Sequence, residues 1–333
     1  MTTVAGMDLA LSPTTPGLGI SDLADLCSYA EDLGYRHAWL AEVAGPDAFV
    51  LASAIAGRTK AMELGVAVVP AYTRTPTVLA TAALSVSNLL GGRGFRLGIG
   101  SSSEVIVTQW HGTPLVKPVR RVRETVEATR VILNGLNDYD GALVATHRFR
   151  PAVTRGGPIE IWVAGLRPKM LGVAGAVGDG VCLNMMPARV VPQQLAAVEA
   201  GARQLGRLLP EGFGVMARLP VLVTDDPASA REWLRSAFLG PYLAQPVYNN
   251  FLHWMGFENE ARAIASAWKS KDRTAVQEAI GDSLFDELTL IGSASHVRSR
   301  LDEYGAAGVT VAAISVVAPG RFAVEETLRA LAK

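Results

Sequence analysis

The sequence is poor in residues that would staple, anchor or charge it. Its 333 residues include two cysteines, Cys27 and Cys182, too few for a disulfide framework or a cysteine-built zinc site. Both read as small hydrophobic fillers. No apolar run approaches the ~20 residues that a membrane span needs, and the amino terminus lacks the basic-then-apolar order of a secretion signal. A cytoplasmic protein is the expectation. Neither charge is in surplus: 31 basic residues balance 31 acidic ones, which removes the electrostatic argument for nucleic acid or an anionic membrane surface. Several enzyme fingerprints are also missing. No strand leads into a GxGxxG turn, no GxSxG marks a nucleophilic serine, and no second histidine stands at metal-ligand spacing from His111. No pair of acids is placed for glycoside cleavage, and no repeat or linker divides the chain.

Apolar residues, by contrast, make up 49% of the chain and fall into short runs that alternate with segments of helical period. The clearest unit spans 63–100. Leu64 to Val69 has valine at three of six positions and no polar face, the pattern of a strand buried on both sides of a parallel sheet. Pro76 opens a helix over 77–90, Gly91 and Gly92 close it, and Phe95 to Ile99 returns as a strand into Gly100-Ser101-Ser102-Ser103. The same alternation predicts strands at 7–11, 37–41, 159–164, 180–184, 215–223 and 310–317. Helices are expected between them, the first capped at Ser21 or Asp22. Eight strands alternating with helices fit a single (β/α)8 TIM barrel over 1–333, with 225–290 as a helical insertion between the seventh and eighth strands. An open doubly wound sheet is the alternative.

In such barrels the carboxyl ends of the strands carry the site. That rule selects Ser12, Glu42, Val68 to Thr73, Gly100 to Ser103, Ala164 to Lys169 and Asn184 to Pro187. Glu42 is the acid immediately at a strand end, open to either a loop-capping or a ligand-contacting role. Asp47 sits where a helix cap is expected. Ala164-Gly165-Leu166-Arg167-Pro168-Lys169 leaves a strand and enters a helix at proline, so first-turn amides beside an arginine and a lysine suit a phosphate. His111, between Trp110 and Gly112 in a polar loop, is either structural or a substrate contact. His253-Trp254-Met255 reads as packing. A neutral mouth of small residues with one phosphate-suited helix start favours a flat redox cofactor over hydrolysis.

These stretches resemble the bacterial luciferase-like superfamily, in particular its coenzyme F420-dependent oxidoreductases, including the methylenetetrahydromethanopterin reductase group. The matching pieces are LGYRHAWLAEVAGPDAF at 33–49, LGVAVVPAYTRTPTVLA at 64–80, LLGGRGFRLGIGSSS at 89–103 and IWVAGLRPKMLGVAGAVGDGVCLN at 161–184. The resemblance implies F420 as cofactor, with FMN in a monooxygenase, or flavin binding without turnover, as alternatives. It implies that Ala67-Val68 forms a bulge, often with a cis peptide, under the tricyclic ring. Gly100, Ser101 and Ser102 would line the ring edge, and Ala164, Gly165, Leu166 and Arg167, with Pro168 and Lys169, would hold the coenzyme phosphate. Glu42 falls where relatives place an acid beside the ring. Glu42 and His111 are the candidate proton carriers for a small organic substrate, and a homodimer is expected on the same basis.

The chain departs from that pattern at three places. Glu42-Val43 stands where many relatives have an acid followed by histidine, Ser103 where some have an acid, and Arg167 where glycine is common. If position 167 needs a positive φ, the loop must be reshaped to take arginine.

Overall fold

The computed structural model describes residues 2–4, 6–318 and 320–332. Eight parallel strands form its centre: β1 (Met7–Leu11), β2 (His37–Leu40), β3 (Glu63–Pro70), β4 (Phe95–Gly100), β5 (Ile159–Ala164), β6 (Gly180–Asn184), β7 (Gly214–Val223) and β8 (Val311–Val316). Each pairs with its sequence neighbour, and β7 with β8. The ring closes because β1 pairs on one side with β8 (Leu9 against Ala312) and on the other with β2 (Ala10 against His37). That closure excludes the open doubly wound sheet. Three short strand pairings lie outside the barrel sequence: Thr3–Val4 against β1, Leu290–Gly292 against the end of β7, and a hairpin of Tyr139–Asp140 with Ala145–Thr146.

Helices cover the outside, among them α4 (Pro118–Leu133) between β4 and β5. The expected pattern of starts is met at α2 (Ala48–Ala56), where the Asp47 carboxylate accepts from the Phe49 and Val50 amides, and at α3 (Pro76–Leu90), capped by Thr75. Gly91 ends α3 in the left-handed region at φ 59°. The first helix, α1 (Ile20–Asp32), differs from expectation: Gly19 is the cap residue, and Asp22 instead reaches back to accept the Gly19 amide at 3.0 Å. After β7, helical segments run from Pro227 to Leu288, followed by the strand Leu290–Gly292 that the sequence pattern did not reveal. A last helix, Arg321–Ala332, packs beside α1 and β7 and also went unforeseen.

Strand side chains alternate between an outer face, buried against the helices, and the barrel interior. The outer face holds Leu9, Leu40, Val66, Ile99, Val163, Leu183 and Ile314. The interior is layered. At the amino end sits a charged layer: His37 Nε2 lies 3.3 Å from Asp8, Arg96 Nη1 lies 2.7 Å from Glu63, and Glu160 accepts the Trp162 indole N–H at 2.7 Å. Burial first, then the Arg96 charge, lowers the His37 pKa against the pull of Glu63 and Asp8.

Above that layer Trp39 and Trp162 fill the bore, ring centroids 4.9 Å apart. Glycines make room for them. A Cβ on Gly65 would fall 2.4 Å from Trp39, and one on Gly214 would fall 2.0 Å from Trp162. Over the indoles comes a layer of small residues: Ala10, Ala67, Gly100, Ala164, Cys182 and Ala313, with Met216 and Val68. Cys27 and Cys182 are both buried, and burial raises both thiol pKa values far above their ordinary range.

Candidate active site at the barrel mouth

The small-residue layer is the floor of the candidate site. On β3 the register against β4 shifts between Val66 and Val69, and the Ala67-Val68 peptide is cis. The bulge carries Val68 over the glycines of β4: a Cβ on Gly100 would meet Val68 Cγ2 at 2.7 Å and Ala164 at 3.3 Å. Glycine is therefore required at position 100 for Val68 to sit there. Ser101, Ser102 and Ser103 follow at the rim, half-buried, with Ser102 at φ 61°. Ser103 Oγ accepts the Ile106 amide at 3.4 Å, leading into a π-helical turn, Val105–Trp110. His111 ends that turn and is exposed.

Glu42 is not a free carboxylate. Arg74 Nη2 and Nε donate to its two oxygens at 2.7 and 3.1 Å, and the Ala48 amide donates at 3.2 Å. Arg74 also bonds Asp47, so one guanidinium ties the end of β2, the start of α2 and the loop after β3. Glu42 first, then Asp47, outweighs burial and holds the Arg74 pKa above its ordinary range.

Across the mouth, β5 leads through Gly165 and Leu166 into α5 (Pro168–Val177). Arg167 is the cap residue, at φ −124°, so this position does not need glycine and the loop is not reshaped by it. Among the described residues the Leu166 and Arg167 amides have no hydrogen-bond partner, and neither Arg167 nor Lys169 forms an ion pair. Arg167, Pro168 and Lys169 are exposed. Gln194, fully buried on α6 (Val191–Gln204), donates to the Leu166 carbonyl at 3.1 Å and so fixes the loop from behind. Two unfilled amides and two unpaired cations at a helix start are a combination suited to an anion.

A further group on this rim joins two strand ends that the sequence selected, Ser12 and Asn184, to Arg218, Tyr242 and Tyr248, which it did not single out. Arg218, inward on β7, donates from Nε to Ser12 at 3.2 Å and from Nη2 to Thr14 at 3.2 Å and Ser315 at 2.9 Å. Asn184, at the end of β6, donates to the hydroxyls of Tyr242 (2.8 Å) and Tyr248 (3.1 Å), which are 2.9 Å apart. Burial first, then Tyr242, holds the Tyr248 phenol well above its ordinary pKa, with Asn184 and Arg218 pulling the other way. A sequence signal existed for Arg218: it is the one charge inside the ten-residue apolar strand GVMARLPVLV. None existed for the tyrosines, which reach the mouth from helical segments after β7.

The structure thus gathers Glu42, Ala67, Val68, Gly100 to Ser102 and Ala164 to Lys169 at the ends of β2 to β5, with His111 outside on its loop. Among the described residues no cluster of His, Cys, Asp and Glu could hold a metal ion, and no helix is long and apolar enough to cross a membrane.

Comparison with known proteins agrees with this architecture. A family model described as luciferase-like monooxygenase matches residues 2–311. A Mycobacterium tuberculosis protein provisionally assigned as a coenzyme F420-dependent oxidoreductase is 28% identical over 314 residues, 88% of this chain and 90% of its own. The 5,10-methylenetetrahydromethanopterin reductase of Archaeoglobus fulgidus is 27% identical over 318 residues, 92% of this chain and 93% of its own. Among solved structures, the coenzyme F420-dependent tetrahydromethanopterin reductase of Methanopyrus kandleri shares the fold, with a TM-score of 0.81 over 98% of this chain and 97% of that one at 21% identity. Matched along nearly its whole length, the chain belongs to the luciferase-like monooxygenase family.

Proposed function

We propose that the protein is an oxidoreductase that uses coenzyme F420 to move a hydride to or from a small organic substrate. The observation that carries this reading is the pairing of two features on one rim: a flat apolar floor of Ala67, Val68, Gly100 and Ala164, and an anion cradle at the start of α5. The floor suits a planar tricyclic ring, and the cradle suits the phosphate of its tail. The name of the Mycobacterium tuberculosis relative points to the same cofactor.

When bound, the deazaflavin supplies a ring carbon, C5, that accepts or gives a hydride. The protein's own contribution is placement. Val68 and Ala67 set the height of the floor, Gly100 keeps the rim low enough for close approach, and Ser101 and Ser102 line the edge. Arg167, Lys169 and the Leu166 and Arg167 amides anchor the phosphate. Glu42, clamped by Arg74, fixes the ring edge from the β2 side. His111, exposed and free of ion pairs among the described residues, exchanges the proton that accompanies hydride transfer with solvent. The protein acts as a homodimer in this reading.

The test is isotopic. Reduced F420 carrying deuterium at C5 is incubated with the enzyme and a panel of enones, imines and ketones. Deuterium appearing at a substrate carbon supports direct hydride transfer. Turnover that releases the label only to water refutes it.

A further inference from the structure

Arg218 is the unexplained charge of the barrel mouth. It projects from the middle of an apolar strand into the interior, half-buried, and forms no ion pair among the described residues. Every partner it has is a neutral hydroxyl: Ser12 on Nε, Thr14 and Ser315 on Nη2. These bonds use one edge of the guanidinium and leave Nη1, with two N–H groups, without a partner among the described residues. A half-buried guanidinium with open N–H groups and no counter-charge is a ready seat for an anion.

The neighbouring hydroxyls are unfinished in a complementary way. Tyr242 donates to Tyr248, and Asn184 donates to both. The Tyr248 oxygen therefore already accepts two hydrogen bonds, while its own hydrogen has no acceptor among the described residues. The other end of the Asn184 amide, Oδ1, is buried and unpaired. Buried polar groups are rarely left this way. Nη1 of Arg218 and the Tyr248 hydroxyl are both donors in want of an anionic oxygen.

We infer that Arg218 and Tyr248 receive a carboxylate carried by the substrate, with Ser12, Thr14 and Ser315 holding the guanidinium in place. This rests on the reading of the mouth as the seat of hydride transfer, because it sets the anion opposite the floor on which the ring would lie. A carboxylate is favoured over a phosphate ester by charge. The group offers one cation among neutral hydroxyls, which balances a monoanion and leaves a dianion uncompensated. The unpaired Asn184 Oδ1 adds an acceptor for a donor group on the same molecule.

The experiment is calorimetric titration of the full-length protein, with and without F420, using acetate, benzoate and trans-2-hexenoate. The methyl esters of the two larger acids and hexyl phosphate are run alongside. The proposal expects at least one acid to bind ten-fold or more tighter than its ester and tighter than hexyl phosphate. Arg218→Gln is expected to abolish that preference while F420 affinity changes less than two-fold. If the acids bind no better than their esters, if hexyl phosphate binds tightest, or if Arg218→Gln leaves the preference intact, the proposal is overturned. Should Arg218→Gln fail to fold, Tyr248→Phe replaces it, expected to weaken the acid several-fold and to leave the ester unchanged; equal effects on both refute it. Failure of F420 to bind, read in the same titrations, counts against the cofactor alone, and the acid-to-ester ratio still decides the carboxylate site.

Discussion

Replacing Gly214 by alanine probes the support beneath the site. The added Cβ would lie 2.0 Å from Trp162 Cη2 and 2.2 Å from Cζ2, whereas carbon atoms in good contact are about 3.5 Å apart. Indole or strand must then move by roughly 1.5 Å. Trp162 has nowhere to go cheaply: its N–H is held by Glu160 at 2.7 Å, Trp39 lies 4.9 Å away, and Gly180 passes so close that a Cβ there would meet the ring at 2.4 Å. Overpacking of this kind costs about 1–3 kcal/mol, which lowers the melting temperature by roughly 1.5–4 °C in a chain of 333 residues. Gly45→Ala is the control, since a Cβ there meets nothing within 4 Å and its φ is not positive. Its stability is expected to change by less than ~0.5 kcal/mol. Urea denaturation followed by tryptophan fluorescence measures both. If Gly214→Ala proves as stable as Gly45→Ala, the indole layer is not packed as described.

Three further outcomes follow from the site and its surroundings. Arg167→Glu is expected to weaken F420 by ten-fold or more while leaving a phosphate-free deazaflavin analogue within two-fold; equal losses in fluorescence titrations would remove the cradle at α5. His111→Gln is expected to lower kcat by about 10²-fold with little change in KM, and an unchanged kcat would end its role as proton carrier. Glu31 accepts the Lys60, Ala61 and Met62 amides at 2.8, 2.6 and 2.7 Å. Although burial raises its pKa, those bonds outweigh it, so the net shift is downward. A carboxylate depressed on folding stabilises above its unfolded pKa of about 4.3 and loses that contribution as pH falls further. The stability gap between wild type and Glu31→Gln should therefore shrink from pH 5 to 3, as read by urea titrations; a constant gap would contradict the sign.

The barrel itself was legible because its strands are buried on both faces and its helices start and stop on proline, threonine and glycine. Pro76 after Thr75, Gly91 after Leu90 and Asp47 before Ala48 each do locally what their chemistry favours. Closure was expected from the count of eight alternating strands, but the register that makes it, Ala10 against His37, was not legible in any local pattern. The floor was found through a resemblance carried by 64–80 and 89–103, but the reason for the glycines lies in Val68 and the two indoles, which no local pattern exposes. Arg218 carried a signal that periodicity alone offers: it shares the parity of Met216, an interior residue, so a charge there must face the bore. Tyr242 and Tyr248 carried none, because which face of those helical segments meets Asn184 is decided by the tertiary packing of the segments after β7.

Titration of the purified protein with F420 and, separately, with FMN tests the central claim most directly. The account predicts micromolar or tighter binding of F420, with FMN at least ten-fold weaker. Micromolar FMN binding with none of F420 would contradict it.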